Sequence, residues 1–372
     1  MPEVRYNPLA PWLATRGRVT DQYGVAMELG LNLGYLVGAE DARGQLALTR
    51  VAEELGFGSV WVAEAYGSDS PTVLAWLAAQ TSTVGIGSAV MQIPGRSPTM
   101  TAMTAASLDV LSGGRFRLGL GVSGPQVSEG WHGVRFAAPL GRTREYVSIV
   151  RSALRRETVR SDGEHYPLPL PDGPGKALKL TVQPVRADLP IYLAAVGPKN
   201  VELAGEIADG WLAVLVAPEH LGEQLAQLRI GRARVGLDLV GFDVMGSIPV
   251  LVGDDPVECA RAVLPHLALY LGGMGSRRQN FYHALAVRMG FADAAAEIQE
   301  LYLTGRQRDA AAAVPFELAD AVSLLGDEDR IAAKLVALRD AGLTTCALTP
   351  FARSLDDKIT ALRTVARAHA HL

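Results

Sequence analysis

One local pattern recurs along the chain. An amphipathic stretch ends at glycine and a short β-branched or aromatic run follows at once. Glu53-Glu54-Leu55-Gly56 precedes Ser59-Val60-Trp61-Val62, Ser112-Gly113-Gly114 precedes Phe116 to Leu120, Ala208-Asp209-Gly210 precedes Trp211 to Val216, and Asp340-Ala341-Gly342 precedes Thr345 to Leu348. Glycine accepts the left-handed backbone that closes a helix, so each phrase reads as helix, cap, strand. Completing the pattern predicts strands over 28–33, 58–63, 84–90, 115–121, 190–195, 210–216, 242–252 and 344–349. Helices are predicted over 46–55, 98–111, 142–154, 201–207, 220–235, 256–271 and 327–338. Strict alternation forces parallel strands with right-handed crossovers, and eight such units close into an α/β fold of the TIM-barrel type, a (β/α)8 barrel. A doubly wound open sheet is the alternative.

Two stretches break the rhythm. Over 156–189, Tyr166-Pro167-Leu168-Pro169-Leu170-Pro171 and Asp172-Gly173-Pro174-Gly175 exclude a continuous helix, because proline lacks the amide donor and clashes with the preceding turn. This is an excursion between units four and five. Over 272–320 the apolar spacing is helical with no strand run, which predicts an insertion before unit eight of the kind that covers a barrel mouth. Residues 1–26 show neither period and read as an N-terminal arm or an over-called start, leaving 27–372 as the barrel.

Composition removes several function classes. The net charge of −4 and the scattered Lys and Arg give no stripe for a phosphate backbone, so nucleic acid is not an expected partner. No apolar run reaches the ~18 residues of a membrane span and no secretory signal is visible, so no membrane partner and a cytoplasmic location are expected. Cys259 and Cys346 lack CxxC spacing and read as buried, reduced thiols. His165, His220, His266, His283, His369 and His371 show no HExxH or other ligand spacing, so neither a metal nor a serine triad is expected.

In such a barrel the active site forms at the C-terminal strand ends. Those positions carry Tyr35, then Glu64-Ala65-Tyr66-Gly67, Ala89-Val90-Met91-Gln92, Gly121-Val122-Ser123-Gly124-Pro125-Gln126 and Gly197-Pro198-Lys199-Asn200. Gly119 to Gly124 spells GxGxxG, but a dinucleotide fingerprint needs a helix to open there, which Pro125, Gly130 and Gly133 oppose. The glycines read instead as a surface where backbone approaches a flat ligand. At Ala195-Val196-Gly197-Pro198-Lys199-Asn200 a strand gives way to a helix start with a nearby positive charge, which is either a phosphate cradle or an ordinary turn. Glu64 is either an acid of the site or the partner of a structural arginine. His132, in a loop beside Trp131, is either a proton donor or simply solvated.

The phrases Glu28 to Tyr35 (ELGLNLGY), Ser59 to Asp69 (SVWVAEAYGSD), Val84 to Val90 (VGIGSAV), Leu111 to Val122 (LSGGRFRLGLGV), Arg142 to Tyr146 (RTREY) and Ala194 to Asn200 (AAVGPKN) resemble the bacterial-luciferase-like family. Gly121 to Gly133 (GVSGPQVSEGWHG) resembles its branch that uses coenzyme F420, a 5-deazaflavin, and that includes methylenetetrahydromethanopterin-reductase-like enzymes. The resemblance implies a barrel with an insertion after strand seven, a (deaza)flavin ring across the strand ends and its phosphate near the fifth helix. It implies a non-proline cis peptide at Ala89-Val90, Glu64 facing the ring, and Gly121, Val122, Ser123, Gly124 and Gln126 along its edge. Ala195, Val196, Gly197, Pro198, Lys199 and Asn200 would hold the phosphate, Asn32 and Gln92 would complete the cofactor-binding set, and the glutamate tail would run toward Lys199 and Arg96.

This chain departs from the branch at three points. Its sugar-phosphate and alcohol dehydrogenases place a histidine after the strand-two acid, where Ala65 stands, and a glutamate after strand four, where Ser123-Gly124-Pro125-Gln126 stands. The methanopterin reductases carry an acid on strand one at the position of Asn32. The expectation is therefore an F420-dependent oxidoreductase that reduces a C=N, C=C or C=O group of a small organic substrate, assembled as a homodimer. Its candidate catalytic residues are Glu64, Tyr35, Tyr66 and His132. An FMN-dependent luciferase-like monooxygenase is the alternative.

Overall fold

Parallel pairing runs in sequence order through β1 (Glu28–Asn32), β2 (Ser59–Val62), β3 (Gly85–Ser88), β4 (Phe116–Gly121), β5 (Ile191–Ala194), β6 (Gly210–Ala213), β7 (Asp243–Val252) and β8 (Thr345–Pro350). The last strand pairs with both β7 and β1, with Thr345 opposite Met245 on one side and Glu28 on the other, so the sheet closes into a barrel, and a short strand Leu324–Gly326 adds beside the end of β7. The computed structural model describes residues 27–277 and 279–372. The reading of 1–26 as an arm or an over-called start lies outside them. Around the barrel lie α1 (Ala39–Glu54), α2 (Ser70–Ala78), α3 (Pro98–Leu111), α4 (Pro139–Leu154), α5 (Pro198–Ile207), α6 (Pro218–Arg234), α7 (Glu328–Asp340) and α8 (Leu355–Ala370). The closed barrel, and not the open sheet, is the fold.

Side chains alternate across each strand. Leu29, Leu31, Val60, Val62, Leu118 and Leu120 point outward into the core shared with the helices, whereas Trp61, Tyr192, Leu212, Met245 and Ala347 fill the barrel. Trp61 and Tyr192 meet edge to face with ring centroids 5.1 Å apart. The indole fits because Gly87 faces it: a Cβ there would lie 2.4 Å from the ring. Below these rings, polar groups close the floor. Asp243 accepts hydrogen bonds from Tyr192 at 2.9 Å, Thr344 at 2.6 Å and Thr345 at 2.8 Å, and Arg117 lies 4.0 Å from Glu28.

The excursion over 156–189 is non-helical, with antiparallel bridges Thr158–Lys179 and Ser161–Leu168. After β7 the insertion contributes helices Phe281–Arg288, Ala292–Leu303, Gln307–Ala312 and Phe316–Ala321, which pack around a second core containing Leu271, Leu285, Ile298 and Leu318. That core also takes in Leu215 and leans on Val196, Leu251 and Phe351, so the insertion sits over the C-terminal ends of β5 to β8. One predicted element is corrected. The single helix over 256–271 is two short ones, Pro256–Ala260 and Leu264–Ala268, followed by a π-helical turn Leu269–Gly273. Pro265 has no amide with which to continue a helix from before it. Cys259 and Cys346 are free and buried as expected, and burial pushes the Cys346 thiol up to about 12. Among the described residues no helix is long and apolar enough to cross a membrane.

Candidate active site at the barrel mouth

The backbone at the strand ends is irregular where the site was expected. A non-proline cis peptide joins Ala89 and Val90, after which Met91–Gln92 pairs with Leu120 and Gly121 of β4. Two glycines of the GxGxxG phrase answer to this bend: a Cβ on Gly119 would lie 1.9 Å from the Ser88 carbonyl oxygen, and one on Gly121 would lie 2.5 Å from Val90 Cγ2. Both glycines therefore make room for the protein itself at the bend, Gly119 for the Ser88 carbonyl and Gly121 for the Val90 side chain. Ala65, Ser123 and Leu215, just after β2, β4 and β6, have φ of 84°, 61° and 52°. Left-handed backbone at non-glycine residues is sparsely populated and gathers at functional sites.

The expectation that no helix opens behind Gly124 is corrected. A six-residue helix, Pro125–Gly130, starts there, because proline suits the first helical position. It stops at Gly130, and the closed barrel still excludes the dinucleotide-binding reading. Val122 packs against the main core, while Ser123, Gly124 and Gln126 lie on the rim at the start of this helix.

Glu64, two residues past β2, is only 8% exposed. Arg96 grips it bidentately, Nη1 to Oε2 at 2.7 Å and Nη2 to Oε1 at 2.8 Å, and the amides of Gln92 and Ser70 donate at 3.0 and 3.3 Å. Each oxygen thus faces two donors, and the carboxyl group is tied both to Arg96 and to the backbone. The same guanidinium reaches Asp69, whose side chain caps α2. Burial opposes the charge on Arg96, but Glu64 outweighs it and raises the arginine pKa. The expected role of Arg96 toward a glutamate tail is corrected: its guanidinium is turned inward. Gln92 donates to the Ala65 carbonyl, and its Oε1 and the Ser70 hydroxyl are buried without a partner among the described residues.

At β5–α5, the Ala195 carbonyl accepts from the Trp211 indole at 2.9 Å, and Gly197 caps α5 with no side-chain hydrogen bond. Asn200 and Val201 turn their amides back to the Gly197 carbonyl at 2.9 and 3.0 Å, leaving the Gly197 and Lys199 amides without an acceptor among the described residues. A Cβ on Gly197 would meet nothing within 4 Å. Open amides at a helix N-terminus, with the dipole behind them, fit an anionic phosphate. Lys199 contributes less than expected: its ammonium bonds Glu202 at 2.8 Å. Arg288 of the insertion donates to the Val196 carbonyl at 3.3 Å instead.

The centre of the mouth is neutral. Asn32 accepts from the Gly34 amide at 3.1 Å and donates to Ser247 at 2.7 Å, and Ser247 lies 3.1 Å from the Thr349 hydroxyl. Tyr35 and Tyr66 rim it, 42% and 61% exposed, and a Cβ on Gly67 would touch the Tyr35 ring at 2.8 Å. Burial pushes the Tyr35 phenol up, and the nearby Tyr66 adds to the effect. His132 is half-buried: its ring would lie 3.1 Å from a Cβ on Gly95, and Nε2 is buried without a partner among the described residues. Ser247, Thr349 and Arg288 were missed by the sequence reading. Reading inward positions on β7 and β8, and not only the first five strand ends, would have found the two hydroxyls.

The luciferase-like monooxygenase family matches residues 18–345. A putative coenzyme F420-dependent oxidoreductase of Mycobacterium tuberculosis is 45% identical over 330 residues, 87% of this chain and 95% of that protein. The 5,10-methylenetetrahydromethanopterin reductase of Methanolobus tindarius is 30% identical over 299 residues, 79% of this chain and 86% of that protein. Among solved structures, the coenzyme F420-dependent tetrahydromethanopterin reductase of Methanopyrus kandleri superposes with a TM-score of 0.79 at 23% identity, covering 92% of this chain and 98% of that one, a likeness of fold. The bent strand with its cis peptide, the uncapped fifth helix and the insertion over β5 to β8 thus occur in a chain that belongs to the luciferase-like monooxygenase family.

Proposed function

We propose that this protein is a coenzyme F420-dependent oxidoreductase that reduces a polarised C=N, C=C or C=O group of a small organic substrate. The observation that supports the reading is the backbone at the strand ends: the Ala89-Val90 cis peptide seats Val90 against Gly121, and α5 starts with open amides that suit an anion. The 45%-identical relative, named for F420, favours this cofactor over FMN. When bound, the deazaflavin supplies the hydride chemistry. The chain's own residues do the rest. Ala89-Val90 and Gly121 to Gly124 support the ring, Gln92 Oε1 offers it an acceptor, the amides of Gly197 and Lys199 hold the phosphate, and the insertion excludes water.

The side chains support the reducing direction. Alcohol oxidation needs a base for the hydroxyl proton, and Glu64 is fully engaged by donors while Ala65 and Asn32 have no basic group. Tyr35, its phenol pushed up by burial, stays protonated and donates. Reduction, with the proton delivered from a phenol or from solvent, matches this set. The assembly that fits is a cytoplasmic homodimer. From Ser70 to Leu111 only Arg96 and Asp109 carry charge, both inward-facing in ion pairs, so α2 and α3 present an uncharged outer face with Met100 and Met103 each 50% exposed.

Fluorescence titration of the purified protein with F420 and with FMN tests the assignment. F420 should bind at least about tenfold tighter, a difference of about 1.4 kcal/mol. Equal or preferential binding of FMN would overturn the cofactor.

A further inference from the structure

Opposite the barrel rim, the insertion turns a second set of aromatic side chains toward Tyr35 and Tyr66. Tyr270 and Tyr282 meet edge to face with centroids 4.7 Å apart, and His266 packs between Tyr270 at 4.5 Å and Phe351, at the end of β8, at 5.1 Å. Tyr270 lies in the π-helical turn Leu269–Gly273, a local irregularity that is frequent at functional sites. Among the described residues, no hydrogen bond is made by the hydroxyls of Tyr35, Tyr66, Tyr270 or Tyr282, and none of the four is a buried unpartnered group, so each is open to solvent or to a ligand. Burial raises the Tyr270 phenol, with Tyr282 and Tyr35 adding to it, and burial pushes Tyr282 up to about 12. Burial likewise lowers His266 to about 4. These rings therefore stay neutral through the physiological range, and the phenols act as donors.

We infer that this cleft between the mouth and the insertion is the substrate compartment, and that it takes a flat, uncharged, ring-bearing molecule whose carbonyl or imine accepts a hydrogen bond from the tyrosines. Ring faces are recognised by the edges of Tyr270 and Tyr282, and Tyr35 closes the opposite side over Gly67. A phosphorylated sugar is disfavoured, because its charge would leave water for neutral phenols and uncharged Asn32, Ser247 and Thr349. The inference rests on the reductase reading for its chemistry, but the cleft and its preference are properties of the protein alone.

The test uses trans-4-phenyl-3-buten-2-one as the planar probe and glucose 6-phosphate as the charged one, each titrated calorimetrically against the full-length protein with and without F420. The aryl enone should bind at least about tenfold tighter than the sugar phosphate. Tyr270→Leu and Tyr282→Leu should each weaken it by about tenfold, since the edge-to-face aromatic contact is lost, while the F420 dissociation constant stays within about twofold. Tyr282→Phe, which keeps the ring, should weaken it less than Tyr282→Leu and guards against misfolding. Equal binding of the two probes, or an enone affinity indifferent to all three substitutions, would overturn the inference. Should F420 fail to bind while the enone still depends on the tyrosines, the cofactor reading falls and the aromatic compartment stands.

Discussion

The two ends of this barrel use similar side chains to opposite effect. At the floor, the Asp243 carboxylate takes the hydroxyls of Tyr192, Thr344 and Thr345, and Arg117 is drawn to Glu28, so tyrosine and charge are spent on one another. At the mouth, Tyr35, Tyr66, Tyr270 and Tyr282 carry no such bonds among the described residues, the α5 amides are open, and left-handed backbone at Ala65, Ser123 and Leu215 is tolerated. A saturated polar network rigidifies, whereas an unsaturated one keeps its donors for something else. Glu64 is the exception that connects them. It is built like a floor residue, with every lone pair used, but it stands at the mouth, where it ties the end of β2 to the Gln92 amide and to Arg96.

Removing Arg96 should break that exception most severely. Arg96→Ala leaves Glu64 buried with only two amides, which should lower the unfolding free energy by about 3 kcal/mol and also weaken F420 binding. Urea unfolding and F420 titration together check this, and adding Glu64→Gln should restore part of the stability. If stability falls while F420 affinity is untouched, Glu64 does not shape the slot. The floor should behave differently. Asp243→Ala strands three hydroxyls and should cost about 2 kcal/mol in the same assay, with F420 affinity unchanged within about twofold. Loss of affinity beyond that would show the two ends to be mechanically coupled.

The same contrast explains what was legible in the sequence. Strand order and closure were readable because four of the eight units repeat the helix, glycine, strand phrase, and the outward apolar faces of β2 and β4 carry the alternation through to the core. The cis peptide at Ala89-Val90 came from the family resemblance, since nothing in those two residues themselves announces it. Partnerships across the fold were not readable. Nothing near Glu64 in the chain announces that Arg96, thirty-two residues on, will take it, and Lys199 looked like a ligand group until Glu202 one turn later claimed it. Pro125 was misread because the same residue that breaks a helix interior also starts one. The tyrosine cleft joins β1 and β2 to an insertion more than two hundred residues downstream, a contact that periodicity does not encode.

The smallest expected effect probes the floor side by pH. Glu53, at the end of α1, accepts from the amides of Ser82, Thr83 and Val84 ahead of β3. Burial disfavours its charge, but those amides outweigh burial and hold the carboxyl at about 2. A depressed folded value means that this contribution is complete above the unfolded carboxyl value of about 4.3 and is lost as pH falls from there toward the folded one. Glu53→Gln keeps an acceptor oxygen but cannot titrate, so the urea midpoint of the variant should change less than that of the parent between about pH 4.3 and 3. F420 affinity above that window should be the same in both, because Glu53 serves the floor side of the barrel and touches nothing at the mouth. Parallel pH curves for variant and parent would mean that the three amides do not depend on the carboxylate, and the acid sensitivity of the barrel would have to lie elsewhere.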